Sequence, residues 1–195
     1  MLAFIAAESR EFDGFLANAE RVVKLDWPLD FARRVWLNGR MAVLAANGPG
    51  PKLAGQAAAM VKEKEELTGL VSTGFCGGLD PALQPCDIFV ATEILTVSDT
   101  QPSRDRKGAC TPPKLSNTPG AVKTGSLLSI DRVASTIAEK SELRRTGASA
   151  IEMEAAGVAA KAVEWNVPFF CIRVVTDTAN ESFPLDFNRL RDADG

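Results

Sequence analysis

The chain has 195 residues, 46% hydrophobic and 24% charged, the composition of a globular domain long enough to bury a full core. A formal net charge of -3 and a pI near 5.2 leave no basic face for neutralising phosphates, which argues against a nucleic-acid partner. There is no histidine, so Ser-His-Asp and Cys-His nucleophiles, histidine proton shuttles and the usual zinc sites are excluded, and proton chemistry must rest on 25 carboxylates.

Taken in order, Leu2–Ala7 reads as a strand; it is short, lacks a basic flank and runs into Glu8, so it is expected to be neither signal peptide nor membrane span. Ser9 offers a cap for a helix to about Ala19. Phe31–Leu37 and Met41–Ala46 flank Asn38-Gly39, a strong hairpin signal. After a Gly-Pro-Gly-Pro turn, Lys52 to Leu67 reads as a helix closing at Gly69. Leu70–Thr73 and Asp87–Ile94 are expected strands around a glycine-rich loop. Ser98–Gly120, rich in Pro, Lys and Arg, shows no regular pattern and reads as a lid over a site or as mobile surface. Val122–Gly125 follows as a short strand, Asp131 to Arg145 as a surface helix, and Ala150 to Trp165 as an alanine-rich helix. Val167–Val175 is a nearly unbroken apolar strand, expected at the centre of a sheet. Alternating strands and amphipathic stretches predict an α/β layered fold, with residues 1–195 as a single domain. Cys76, Cys86, Cys110 and Cys171 form no CxxC pair, so no metal site is expected and a reducing cytoplasm is the default location.

Ligands of open α/β sheets bind beyond the carboxyl ends of strands. There the sequence places Glu8-Ser9-Arg10-Glu11, Asn47-Gly-Pro-Gly, Gly74-Phe75-Cys76-Gly77-Gly78 and Thr176-Asp177. If the strands run parallel, carboxylates and glycine loops gather on one edge and suit a small polar ligand; otherwise these are simply the points where polar residues begin. Arg173 sits inside an apolar strand, where it must meet a carboxylate or an anionic ligand unless it lies at a sheet edge. Glu152 and Glu154 start the alanine-rich helix, where acids complement the dipole. On a helix, residues two apart point about 200° apart, so at most one of them is expected to face a site.

Three motifs resemble the nucleoside phosphorylase and nucleosidase superfamily, particularly its methylthioadenosine/S-adenosylhomocysteine nucleosidase branch. They are Thr73-Gly-Phe-Cys-Gly-Gly-Leu-Asp-Pro81 continuing to Asp87-Ile-Phe-Val90, Ile151-Glu-Met-Glu-Ala-Ala156, and Arg173-Val-Val-Thr-Asp177. The resemblance implies a single-domain α/β/α sandwich around a mixed, partly barrel-like β-sheet. It implies cleavage of the N-glycosidic bond of a purine nucleoside, with an adenine-type base favoured, in a homodimer or larger homo-oligomer. No cofactor is implied, with phosphate as a possible co-substrate. Asp177 would hold or deliver a proton at N7 of the base, Glu11 would activate water, and Arg173 would orient that water or a phosphate. Glu154 would accept from the ribose hydroxyls with Met153 against the ribose face. Glu152, Thr176, Gly74, Phe75, Cys76 and Leu128 complete the expected substrate contacts.

The chain departs from that pattern at two of these positions. Phe75 stands where a serine commonly helps to bind water or phosphate, and Leu128 falls where a phenylalanine stacks on the base. Phe75 either points into the pocket, or turns into the core and leaves the N–H groups of Gly74–Gly78 as an anion nest. The 18 residues after Asp177 leave little of the family's closing helix. The stretch Gly77-Gly-Leu-Asp-Pro-Ala-Leu83 is closer to the hopanoid-associated phosphorylase subgroup, which implies a bulky apolar nucleoside substrate. Glu11 favours water as acceptor; that likeness and Arg10, which otherwise reads as a solvated helix arginine, favour phosphate. A non-catalytic purine-nucleoside binding protein on the same fold is the competing reading. A dinucleotide-binding fold ranks below both, because no GxGxxG follows the first strand.

Overall fold

In the computed structural model, which describes residues 1–98, 101–109, 122–185 and 187–189, the apolar runs of the sequence join one mixed sheet. Strand β1 (Leu2–Ala6) lies between β4 (Arg40–Ala46) and β5 (Gly69–Gly78), parallel to both. Beyond β4 the sheet continues antiparallel through β3 (Phe31–Leu37) to β2 (Arg21–Lys24). On the other flank β10 (Phe169–Asp177) runs parallel to β5, followed by β6 (Ile88–Ser98), β8 (Val122–Ser129) and β9 (Ala150–Glu152). Strand β9 then returns to β5, so β5, β10, β6, β8 and β9 close into a small barrel.

Successive side chains on a strand point to opposite faces, and β1 and β4 are covered on both. Ala3, Ile5, Val43 and Ala45 pack with Ala54, Ala57, Ala58 and Val61 of α2 (Pro51–Lys64) and with Val158, Ala159 and Ala162 of α4 (Ala155–Trp165). Ala6, Leu44 and Ala46 pack on the other face with Phe12, Phe31 and Val35. This double cover is why these strands read as unbroken apolar runs. The β3–β4 hairpin turns at Asn38 and Gly39 with φ of +50° and +70°, the paired positive values of a type I′ turn.

Several elements differ from the expectation, each for a local reason. The helix expected from Ser9 to Ala19 is broken into a 3-10 turn, Ser9–Phe12, and a short α1 (Asp13–Asn18), because the Glu11 side chain folds back onto backbone N–H groups at the end of β1. Strand β2 has two apolar residues in four and no pattern to betray it. The glycine-rich segment is strand, not loop: β5 runs through it to Gly78, paired with β10. Within the expected irregular stretch Ser98–Gly120, Gln101–Ala109 is strand β7, antiparallel to β6, while residues 99–100 and 110–120 lie outside the described residues, and the lid reading with them. The expected surface helix begins later, as α3 (Ile137–Arg144) capped by Thr136, and it turns Lys140 and Leu143 inward. The alanine-rich helix starts at Ala155, because Ala150–Glu152 pairs with β5 and β8 instead.

Helices α2 and α4 cross with almost no space between their backbones. A Cβ added at Gly157 would lie 1.9 Å from the carbonyl oxygen of Pro51. Gly157→Ala must push the helices apart, with an expected loss of about 1–3 kcal/mol typical of overpacking. A lower denaturant midpoint measures it; an unchanged midpoint would refute the close crossing.

Candidate active site

The parallel strands β1, β4, β5 and β10 bring their carboxyl ends to one edge, and a cleft of about 280 Å³ opens there. Glu11, Phe75, Cys76, Glu152, Met153, Glu154, Thr176 and Asp177 all line it.

One wall is built on Glu11. The 3-10 turn after β1 aims its carboxylate back at the strand ends, where Oε2 accepts from Ala7 N and Glu8 N at 2.8 Å each and Oε1 accepts from Phe75 N at 3.0 Å. The carboxylate passes over Gly74, whose φ is +132° and where a Cβ would lie 2.1 Å from Oε1. Glycine is therefore required there both by the backbone and by the space. Phe75 is 42% exposed on the cleft wall, so it does not turn into the core, and its N–H is bound to Glu11 rather than left in a nest.

Beneath the cleft lies Arg173, 1% exposed. Its Nη1 donates to Thr73 O at 2.7 Å, and Nη2 donates to Ser72 Oγ at 2.7 Å and to Glu152 Oε2. Glu154 Oε2 stands 3.7 Å from Nη1. Desolvation opposes the guanidinium charge, but Glu152, with Cys171, Glu154 and Glu11 behind it, overcomes that and holds the arginine protonated beyond its ordinary range. Glu152 also accepts from Glu154 N at 2.9 Å and from Ala155 N, at the start of α4, at 2.9 and 3.1 Å. The expected dipole role is therefore present. The expectation that only one of the two glutamates could face a site is corrected: Glu152 ends a strand and Glu154 caps the helix, so helical spacing does not separate them.

Glu154 accepts from Gly50 N, delivered by the Gly-Pro-Gly turn, at 3.1 Å. Burial, then the neighbouring Glu152 charge, push its carboxyl up to about 8 against the opposing pull of Arg173 and Gly50 N–H. Burial and the Glu152 charge together thus favour the protonated form of this side chain.

The opposite wall is Asp177. Its Oδ2 lies 2.5 Å from Lys140 Nζ, and Thr176 Oγ1 lies 2.8 Å from Oδ1 and 3.2 Å from Cys76 O. A Cβ at Gly77 would sit 2.9 Å from Oδ2, so a second glycine lets the carboxylate lie on the backbone of β5.

Of the expected residues, Arg173 supports the cleft from below and Gly74 faces the adjoining groove with Glu11 and Phe75. Leu128 is corrected: it is fully buried among Leu95, Ile130 and Ile151 and does not line the cleft. Phe183 and Val133 line it instead, and Arg10 reaches it while paired with Glu8 at 2.8 Å. Lys140 went unread, because a lysine in a polar helix gives no sign of burial. Among the described residues no group of three or more Cys, Asp or Glu converges to hold a metal ion, and no helix is long and apolar enough to cross a membrane.

Residues 30–192 match the phosphorylase superfamily family model. The chain belongs to the phosphorylase superfamily. Among curated relatives, it is 27% identical to the 5'-methylthioadenosine/S-adenosylhomocysteine nucleosidase of Psychromonas ingrahamii over 78% of this chain and 75% of that protein. It is 29% identical to the enzyme of the same name from Baumannia cicadellinicola, over 74% and 72%. The crystal structure of the Neisseria meningitidis nucleosidase with methylthio-immucillin-A superposes with a TM-score of 0.81 at 25% identity, covering 96% of this chain and 90% of that one. The mixed, partly closed sheet is the one found in these nucleosidases.

In this superfamily member Glu154 makes stability depend on pH. Its folded pKa of about 8 lies above the ordinary 4.5, so the folded chain binds more protons than the unfolded chain between those values. Its contribution therefore falls as pH rises from about 4.5 to about 8 and is constant above. Glu154→Gln is expected to flatten the Tm profile across that window. An unaltered slope would mean that the carboxyl ionises normally.

Proposed function

We propose that the chain is a nucleosidase, hydrolysing the N-glycosidic bond of a purine nucleoside, with an adenine-type base. The observation that carries this reading is the convergence of Glu11, Glu154 and Asp177 on one cleft while the buried Arg173 donates from below to Thr73 O, Ser72 Oγ and Glu152. The names of the relatives support the substrate class.

Asp177, a carboxylate paired with Lys140, takes a proton from solvent at its other oxygen and passes it to N7 of the base as the C1′–N9 bond breaks and its electron pair moves onto the ring. Water bonds to C1′ and passes a proton to Glu11, whose three N–H donors fix its direction without adding a full charge. Glu154 takes the ribose hydroxyls; both are donors, and they stabilise the ionised form of a carboxyl that burial has pushed up. The developing oxocarbenium is cationic, and the fixed carboxylates around it favour that charge. Arg173 orients Glu152 and Glu154 rather than binding an anion, which supports water over phosphate as acceptor. Phe75 and Val174, partners on neighbouring strands, are 42% and 37% exposed, an apolar pair suited to a homodimer contact. The free thiols Cys76, Cys86 and Cys171 suit a reducing cytoplasm.

Incubation with adenosine, methylthioadenosine and S-adenosylhomocysteine, with and without phosphate, tests the reading by chromatography of the free base. Release independent of phosphate is expected; no release from any of the three would overturn it. Asp177→Asn, close in shape but without a transferable proton, should lower kcat by about 10²- to 10⁴-fold while the fold survives. Near-normal turnover would remove Asp177 from the mechanism.

Phe75→Ser puts a hydroxyl on the acceptor side and removes a ring that excludes polar ligands. Faster cleavage, or a new response to phosphate, is the expected result of steady-state assays. A variant that only loses stability, with unchanged kinetics, would show that the ring serves packing alone.

A further inference from the structure

We propose that Lys140 is the positioning residue for the base side of the cleft: it holds Asp177 by Oδ2 and frees Oδ1 to work on the purine. The inference rests on the role given above to Asp177.

Lys140 projects from α3, where Ala138, Ser141 and Glu142 face solvent, yet it is only 1% exposed. A buried ammonium is expensive unless its donors are paired. Here Nζ has three acceptors: Asp177 Oδ2 at 2.5 Å, Thr178 O at 2.7 Å and Glu181 O at 3.0 Å. The Phe183 ring lies 5.3 Å from Nζ. With three directions fixed, the ammonium locks the carboxylate to the turn that follows β10.

The other carboxylate oxygen has a replaceable partner. Thr176 carries one hydroxyl proton but has two acceptors in reach, Asp177 Oδ1 at 2.8 Å and Cys76 O at 3.2 Å. When a purine nitrogen takes Oδ1, the hydroxyl turns to Cys76 O and no hydrogen bond is lost. Oδ2 cannot be exchanged in this way without stranding the ammonium. Lys140 therefore selects which oxygen meets the base. It also supplies the charge partner that Arg173, engaged with Glu152, does not give to this wall.

The test separates leaving groups. A purine leaves with proton assistance, whereas p-nitrophenyl β-D-ribofuranoside leaves as a stable anion and needs no acid. Lys140→Met should lower kcat on adenosine or methylthioadenosine by about 10²-fold or more with a smaller change in KM, and change hydrolysis of the nitrophenyl glycoside by no more than about threefold. Lys140→Arg, which keeps the charge, should recover part of the loss. Lys140→Met combined with Asp177→Asn should be no slower on the purine substrate than Asp177→Asn alone, a comparison that decides even if the glycoside is a poor substrate. Circular dichroism checks folding; if the methionine variant does not fold, Lys140→Gln, which keeps two N–H donors for the Thr178 and Glu181 carbonyls, carries the same expectations. Equal losses on both substrates, or additive losses in the double variant, would overturn the proposal. If Asp177→Asn itself left purine cleavage intact, the failure would lie with the role of Asp177 instead.

Discussion

The buried guanidinium of Arg173 is the constraint around which the cleft is organised. Removing one partner of such an ion pair leaves an unpaired charge in the interior and typically costs about 3–5 kcal/mol, whereas an exposed pair contributes about 1 kcal/mol or less. The network reaches several elements from one side chain: Ser72 and Thr73 on β5, Glu152 at the end of β9 and Glu154 at the cap of α4. Glu152 in turn accepts the first free N–H groups of α4, so the same carboxylate neutralises the arginine and starts the helix. Glu154 is then presented to the cleft by a helix whose origin is fixed by charge.

Strand β5 is the floor on which both walls rest. Gly74 lies under Glu11 and Gly77 under Asp177, and a Cβ at either position would collide with a carboxylate oxygen. The strand thus trades side chains for close approach at two positions, and its backbone still pairs with β10 from Leu70 to Gly77, with one bulge at Thr176. Glycines in a strand cost conformational entropy, and here that cost accompanies the placing of two acids on opposite sides of one small volume.

What could be read from the sequence follows from the range of the forces involved. The strands β1 and β4 were legible because cover on both faces leaves unbroken apolar runs; β10 read as apolar too, although only one of its faces is buried. The Asn38-Gly39 turn was legible because its chemistry is local. Arg173 was legible as a charge that had to find a partner, and the motif likeness brought Glu11, Glu154 and Asp177 into view. The errors lie where a distant contact decides. Pairing with β5 and β8 turned Ala150–Glu152 from helix into strand. Contact with β6 made Gln101–Ala109 a strand. Burial of Lys140 depends on Asp177, 37 residues away, and nothing in the helix around it signals that. Leu128 was placed on the base by likeness, while its packing with Leu95 and Ile151 takes it into the core.

The charge arrangement bears on which nucleophile the proposed reaction accepts. Glu11, Glu152, Glu154 and Asp177 face the cleft, and its two buried cations each answer to a carboxylate: Arg173 to Glu152, Lys140 to Asp177. Of the arginines at the rim, Arg10 is paired with Glu8 and Arg132 with Glu139. An incoming phosphate would have to share the cleft with Glu11, a like charge held in place by backbone N–H groups. Water meets no such repulsion and gains an acceptor for its proton. In the proposed reaction Glu11 and Asp177 would attract the positive charge that grows on the ribose as the glycosidic bond lengthens, joined by Glu154 once the ribose hydroxyls favour its ionised form. In the reaction proposed, cations held beneath the surface and carboxylates at it would favour the transition state of hydrolysis and disfavour the anionic competitor.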